Sequence, residues 1–187
     1  MDSPFPFNFD NLFPIGTAFT SMPQLKYLDI SYNHLPVVKK GAFKDLPSLV
    51  GLRLDYNSII ELQSESFQDL WNLETIILTK NGISKIRTDT FRNLPSLEKL
   101  KLNDNLIEKL ERSSFSDLFS LKELHLQQNV IQLIDVHAFT RVPSDVPRVR
   151  LCPFGRIATK METCRLIINF MVFSKFFTLG YADSFDR

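Results

Sequence analysis

The chain has 187 residues, 44% of them hydrophobic, 23% charged and 12% aromatic, with 22 Lys and Arg against 21 Asp and Glu. That length and apolar content suit one domain with a real core and exclude an intrinsically disordered chain, and a net charge of +1 gives no chain-wide field to draw in nucleic acid or an anionic membrane. Two cysteines, Cys152 and Cys164, exclude a multi-bridge disulfide scaffold and a multi-cysteine zinc module; one disulfide or two reduced thiols both remain open.

The chain starts Met1-Asp2-Ser3-Pro4-Phe5-Pro6-Phe7, with no basic n-region and no unbroken apolar run, so it does not read as a secretory leader. Phe5, Phe7, Asp10, Leu12, Ile15 and Phe19 instead fit a degenerate unit of the pattern that follows, one residue short and with Asp in the Asn column. Residues 1–24 are read as a degenerate N-terminal repeat.

From residue 25 to 142 the chain repeats itself every 24 residues, five times. Asn33, Asn57, Asn81, Asn105 and Asn129 form one column, and Phe43, Phe67, Phe91, Phe115 and Phe139 another, with Phe19 before them. Leu25, Leu49, Leu73, Leu97 and Leu121 open the units; Leu28, Leu52, Ile76, Leu100 and Leu124 fill the fourth place, and Ile30, Leu54, Leu78, Leu102 and Leu126 the sixth. Apolar residues at the fourth and sixth places alternate with strand period, so each unit begins with a short strand. The stretch from Asn to Phe is too short for a helix of ordinary length and is expected to return through turns or a short 3₁₀ piece. A single coil cannot bury its own apolar residues, so neighbouring coils must stack and their strands run parallel.

Two of the columns have specific work. Where the chain leaves the strand, backbone groups lose their ladder partners, and the Asn amide offers both a donor and an acceptor to bridge to the adjoining coil. The Phe column is expected to stack as a spine on the return side, each ring after a small residue (Ala18, Ala42, Ser66, Thr90, Ser114, Ala138). Pro23, Pro47, Pro95 and Pro143 share one more column, which Trp71 and Phe119 fill in the other two coils. Much of the excess of 17 Phe and 10 Pro is therefore structural.

Past residue 142 the pattern weakens. Asp145 falls where a core Leu belongs; a one-residue slip restores Val146-x-x-Val149-x-Leu151 but puts Phe154 in the Asn place. Residues 143–154 are thus a possible degenerate repeat, and 155–187 are unassigned, a truncated or misread end being one reading of them. Their most apolar stretch, Leu166 to Phe173, contains Asn169 and is closed by Arg165 and Lys175, far short of the roughly 20 apolar residues of a spanning helix. No Asn-x-Ser/Thr acceptor occurs, so glycosylation gives no pointer to secretion.

Leu97-x-x-Leu100-x-Leu102-x-x-Asn105-x-Ile107-x-x-Leu110, with Phe115 and Leu118 after it, resembles the leucine-rich repeat family. The 24-residue, Phe-bearing variety is similar to repeats in Toll-like receptors, Slit and other cell-surface or secreted recognition proteins. The resemblance implies an α/β-type leucine-rich repeat solenoid: a curved horseshoe segment with a parallel β-sheet on its concave face and a short 3₁₀ or irregular convex side. It implies non-catalytic protein–protein recognition in a receptor, adhesion or matrix ectodomain. Such relatives usually carry cysteine-rich caps, whereas this chain has no cysteine before Cys152, and Leu151-Cys152-Pro153-Phe154 does not match the usual C-terminal cap. A piece of a longer ectodomain and an intracellular scaffold or adaptor capped by its own apolar ends therefore both stay open.

Specificity must lie on outward positions. The third place is Tyr27, Gly51, Thr75, Lys99, Glu123; the fifth Asp29, Arg53, Ile77, Lys101, His125; the seventh Ser31, Asp55, Thr79, Asn103, Gln127; the eighth, at the rim, Tyr32, Tyr56, Lys80, Asp104, Gln128. Tyr27, Tyr32 and Tyr56 cluster within two coils, and Tyr suits interfaces because it joins apolar area to a polar tip. With Asp29, Asp55, His125 and the cations Arg53, Lys80, Lys99 and Lys101 they form a candidate docking face for a protein with an acidic patch. The plainer alternatives are Tyr chosen for an exposed strand, an Asp29–Arg53 cross-strand pair, and an ordinary solvated basic face. Glu123 and His125 share one strand beside Lys101, but no nucleophile, phosphate loop or metal-ligand spacing accompanies them, and His34 and His137 fall in unmatched columns. No enzyme, cofactor, metal, nucleic-acid partner or membrane span is expected; the expected partner is a protein.

Overall fold

Three-residue strands at a 24-residue step form because the fourth and sixth places both seek the interior, while the Asn at the ninth turns the chain away. In the computed structural model these are β1 (Tyr27–Asp29), β3 (Gly51–Arg53), β5 (Thr75–Ile77), β8 (Lys99–Lys101), β11 (Glu123–His125) and β14 (Arg148–Arg150). Two-residue strands on the return side alternate with them: β2 (Val37–Val38), β4 (Glu61–Leu62), β6 (Lys85–Ile86), β7 (Phe91–Arg92), β9 (Lys109–Leu110), β10 (Phe115–Ser116), β12 (Leu133–Ile134) and β13 (Phe139–Thr140). The structure describes residue 19, residues 22–143 and the backbone of 148–150. Most of the degenerate repeat at 1–24, the unassigned 155–187, Cys152 and Cys164 lie outside the described residues.

The long strands make one six-stranded parallel sheet in the order β1-β3-β5-β8-β11-β14. Its register lines up Leu28, Leu52, Ile76, Leu100 and Leu124 across the sheet. Val149 stands opposite Leu124, 25 residues on instead of 24, which is the one-residue slip that the sequence needs after residue 142. The return side pairs β2 with β4, β9 with both β6 and β12, and β10 with both β7 and β13, all parallel. The fold is the leucine-rich repeat solenoid.

Of the two forms expected for the return side, turns and bridges are what forms; no 3₁₀ or α-helix occurs among the described residues. The reason is a set of left-handed backbone positions that no right-handed helix tolerates. One column is Gly41, Glu65, Asp89 and Ser113, at φ of 68°, 60°, 63° and 55°, and a second is Asp45, Asp69, Asn93, Asp117 and Arg141, between 55° and 64°. Gly, Asn and Asp occupy most of these places, as their low cost there requires.

The interior is a continuous apolar column from Ile30 to Ala138. Phe43, Phe67, Phe91, Phe115 and Phe139 stack face to face at centroid distances of 5.8, 5.3, 5.9 and 5.2 Å. The asparagines close the gap where the strand ends. Asn105 Nδ2 donates to Leu78 O of the preceding coil (2.9 Å) and Leu102 O of its own (3.0 Å), while its Oδ1 accepts from Ile83 N (3.2 Å). Asn57, Asn81 and Asn129 repeat this three-way bridge, and Asn33 donates to Ile30 O and Ser31 O within its own coil. Ser66 and Ser114, just before their phenylalanines, donate back to Val38 O and Ile86 O, 28 residues upstream.

Candidate functional site

The outward residues of the sheet and its rim fall into three groups. The first lies at the rim where the chain leaves each strand. Tyr32, Tyr56 and Lys80 all adopt left-handed φ, at 58°, 54° and 55°, with Asp104 and Gln128 at 56° and 57° further along the column. The shared backbone aims the column's side chains along one line. The Tyr32 and Tyr56 rings stack at 4.4 Å with 10° between their planes, and the Lys80 ammonium sits 5.0 Å from the Tyr56 centroid. Both rings are open to solvent, Tyr32 at 70% and Tyr56 at 40%. Loss of water around the stacked phenol, followed by the neighbouring Tyr56, raises the Tyr32 hydroxyl above its ordinary value, and a hydrogen-bonding interaction with Tyr56 raises Lys80.

The second group lies on the first strands. Tyr27 is 72% exposed, and its ring lies over Gly51 of the next strand. A Cβ at Gly51 would come within 2.9 Å of the Tyr27 Cδ1, so glycine is what lets the ring lie flat. Next to it Arg53 forks between two carboxylates. Its Nη1 meets Asp29 Oδ2 at 3.2 Å, and its Nε and Nη2 donate to Asp55 Oδ1 and Oδ2 at 3.2 and 3.1 Å. Asp55 is buried and needs this guanidinium, whose own proton affinity the hydrogen bond to Asp55 raises. Asp29 in turn accepts from Ser31 N and Oγ, at 3.0 and 2.6 Å.

The third group is at the far end of the sheet. The Glu123 carboxylate is shared between Lys99 Nζ and His125 Nε2, both at 3.4 Å. Thr79 Oγ1 donates to Asn103 Oδ1 at 3.1 Å, and Asn103 Nδ2 to Asp104 at 2.6 Å, which ties the seventh and eighth columns together. Lys101 is half-buried beside Ile77 and His125 in register and makes no ion pair among the described residues.

The structure thus brings together Tyr32, Tyr56 and Lys80; Asp29, Arg53 and Asp55; and Lys99, Glu123 and His125. It does not gather the cations into one basic field. Arg53, Lys80, Lys99 and Lys101 are matched in these columns by Asp29, Asp55, Asp104 and Glu123, and two of the four are spent on ion pairs. The aromatic-to-basic gradient read along the columns is offset by these carboxylates. The sequence points to Tyr32, Tyr56 and Lys80 at the rim, but not to their left-handed backbone or to Gly51 as the seat of the Tyr27 ring. The Tyr27–Gly51 neighbourhood was legible in the third column; left-handed backbone under Tyr32 and Tyr56 was not, because Tyr rarely stands there. Among the described residues no cluster of three or more His, Cys, Asp or Glu is placed to hold a metal, and no helix is long and apolar enough to cross a membrane.

Comparison with known proteins agrees with this architecture. A crystal structure of a TLR13–ssRNA13 complex is similar, with a TM-score of 0.64 and 29% sequence identity over 72% of this chain. The match takes in 19% of the TLR13 chain, so this chain spans about a fifth of that protein. No curated protein sequence matches. The family model for the BspA type leucine rich repeat region matches residues 16–144 in 6 copies, and the chain belongs to the leucine-rich repeat family.

Proposed function

We propose that the chain is a non-catalytic protein-recognition module whose contact surface is the Tyr32–Tyr56–Lys80 rim, with Tyr27 over Gly51 beside it. One observation carries the reading: two exposed tyrosines stand stacked on left-handed backbone that Asn or Gly would occupy at lower cost. A bulky residue in that conformation costs on the order of 1 kcal/mol, and such strain in an exposed aromatic pair is what a binding surface retains. Stacking also fixes both rings before contact, which lowers the entropy lost on binding. The acid–base reading of Glu123 and His125 has little support, since the carboxylate is divided between Lys99 and His125.

The setting we favour is a cell-surface receptor, adhesion or matrix ectodomain. The 24-residue unit and the likeness to TLR13 support it, and an intracellular scaffold or adaptor is the alternative. The TLR13 structure holds single-stranded RNA, which gives a second ligand class to test. Charge balance on the sheet weighs against it here, because phosphate binding draws on uncompensated Lys and Arg.

A photocrosslinking phenylalanine analogue at position 32 in the full chain, exposed to extracts of its source, separates the two. An adduct destroyed by protease, resistant to ribonuclease and weakened by Tyr27→Ala with Tyr56→Ala is expected. For hot-spot tyrosines that double change costs about 2 kcal/mol or more of binding. A ribonuclease-sensitive adduct would replace the protein partner with RNA.

A further inference from the structure

The opposite rim, where the chain enters each strand, carries a different surface. Pro23, Pro47, Trp71, Pro95 and Phe119 share its column, and Trp71 and Phe119 are about half exposed. Across the first three coils an open notch of about 500 Å³ is lined by Pro23, Leu46, Pro47 and Trp71, together with Asp45 and Asp69. Its apolar wall is pinned, since Asn72 Nδ2 donates to Pro47 O at 2.7 Å.

The carboxylates of this notch belong to the left-handed column that also holds Asp117 and Arg141. Asp117 is satisfied from within the chain: Arg141 Nη1 lies 3.1 Å from its Oδ1 and Arg92 Nε 3.5 Å from its Oδ2. Asp45 and Asp69 have the same backbone and the same place in their coils, yet neither side chain has an ion-pair or hydrogen-bond partner among the described residues. Within this column, Asp117 therefore shows what Asp45 and Asp69 lack: a guanidinium against the carboxylate.

We propose that the notch binds an arginine-bearing segment of a partner protein. The guanidinium sits at Asp45 and Asp69 as Arg141 does at Asp117, with its flat face on the Trp71 indole. Apolar or proline residues on either side of that arginine pack on Pro23, Leu46 and Pro47. Arginine fits better than lysine because its planar fork bonds a carboxylate while its face stacks on an aromatic ring.

Trp71 is the single tryptophan of the chain, so its fluorescence reports the notch alone. The probe is the peptide acetyl-Leu-Pro-Arg-Pro-Leu-amide, titrated into the full chain at low salt, beside a twin with neutral citrulline in place of arginine. A saturable change in Trp71 emission is expected, at least 10-fold weaker with the citrulline twin and at least 10-fold weaker for the D45N/D69N variant. Asn tolerates the left-handed backbone as Asp does, so that variant keeps its fold. D117N is a control for the substitution itself, and Y32A/Y56A for the other rim; both are expected to titrate like the parent. No saturable change, equal affinity for the citrulline twin, or an unchanged D45N/D69N titration would each overturn the proposal. So would an emission shift on concentrating the chain alone, which would assign the notch to a second copy.

Discussion

Tyr56 and Asn57 are neighbours in sequence and opposites in role, as are Tyr32 and Asn33. The ninth place of the unit is Asn in all five coils, and from Asn57 onward each amide bridges two coils, its oxygen accepting from a backbone N–H 22 residues upstream. The eighth place has an equally constant backbone, left-handed in all five coils, but its residues run Tyr, Tyr, Lys, Asp, Gln. Constant geometry with varied chemistry is how a solenoid presents a surface without endangering its core. Where two adjacent coils both place Tyr on that geometry, the proposed function makes the choice one for contact, not folding.

Substitutions sharpen the contrast. Phe91→Ala removes the centre of the ring stack from a fully buried site, and about 3–5 kcal/mol of stability is expected to go with it. Asn105→Ala strands Ile83 N and leaves Leu78 O and Leu102 O with one amide donor each, from Asn81 and Asn129, which is expected to cost about 1–3 kcal/mol by denaturant titration. Arg53→Gln leaves the Asp55 carboxylate buried without its fork; because Arg53 itself is half exposed, a smaller loss of about 1–2 kcal/mol is expected. Tyr32→Asn with Tyr56→Asn is expected to move stability by less than about 1 kcal/mol, relief of the left-handed strain offsetting the lost stack. A large loss from that last pair would erase the distinction between the two columns.

Most of the fold was legible, because repetition turns weak local signals into columns. Leu28 to Leu124 predicted the register of the sheet, and the Val149 offset predicted its last step. The sequence of the return side reads equally as turns or 3₁₀, because its determinant is backbone handedness. Asp45, Asp69, Asn93 and Asp117 do record that handedness, as do Gly41 and Asp89, but as a polar column that reads equally as solvated surface. Outward residues were placed on the right face by the strand period. Their pairing was not readable, since whether Arg53 faces a partner or Asp29 and Asp55 depends on side-chain reach across strands.

The most direct measurement sets the two neighbours against each other in one coil: the unfolding free energies of Tyr56→Ala and Asn57→Ala in the same buffer. Asn57 alone accepts from Leu35 N and shares Ile30 O and Leu54 O with Asn33 and Asn81; its loss is predicted to cost about 2 kcal/mol, against under about 1 kcal/mol for Tyr56. Equal losses would make the tyrosine rim part of the scaffold and remove the ground for assigning recognition to it.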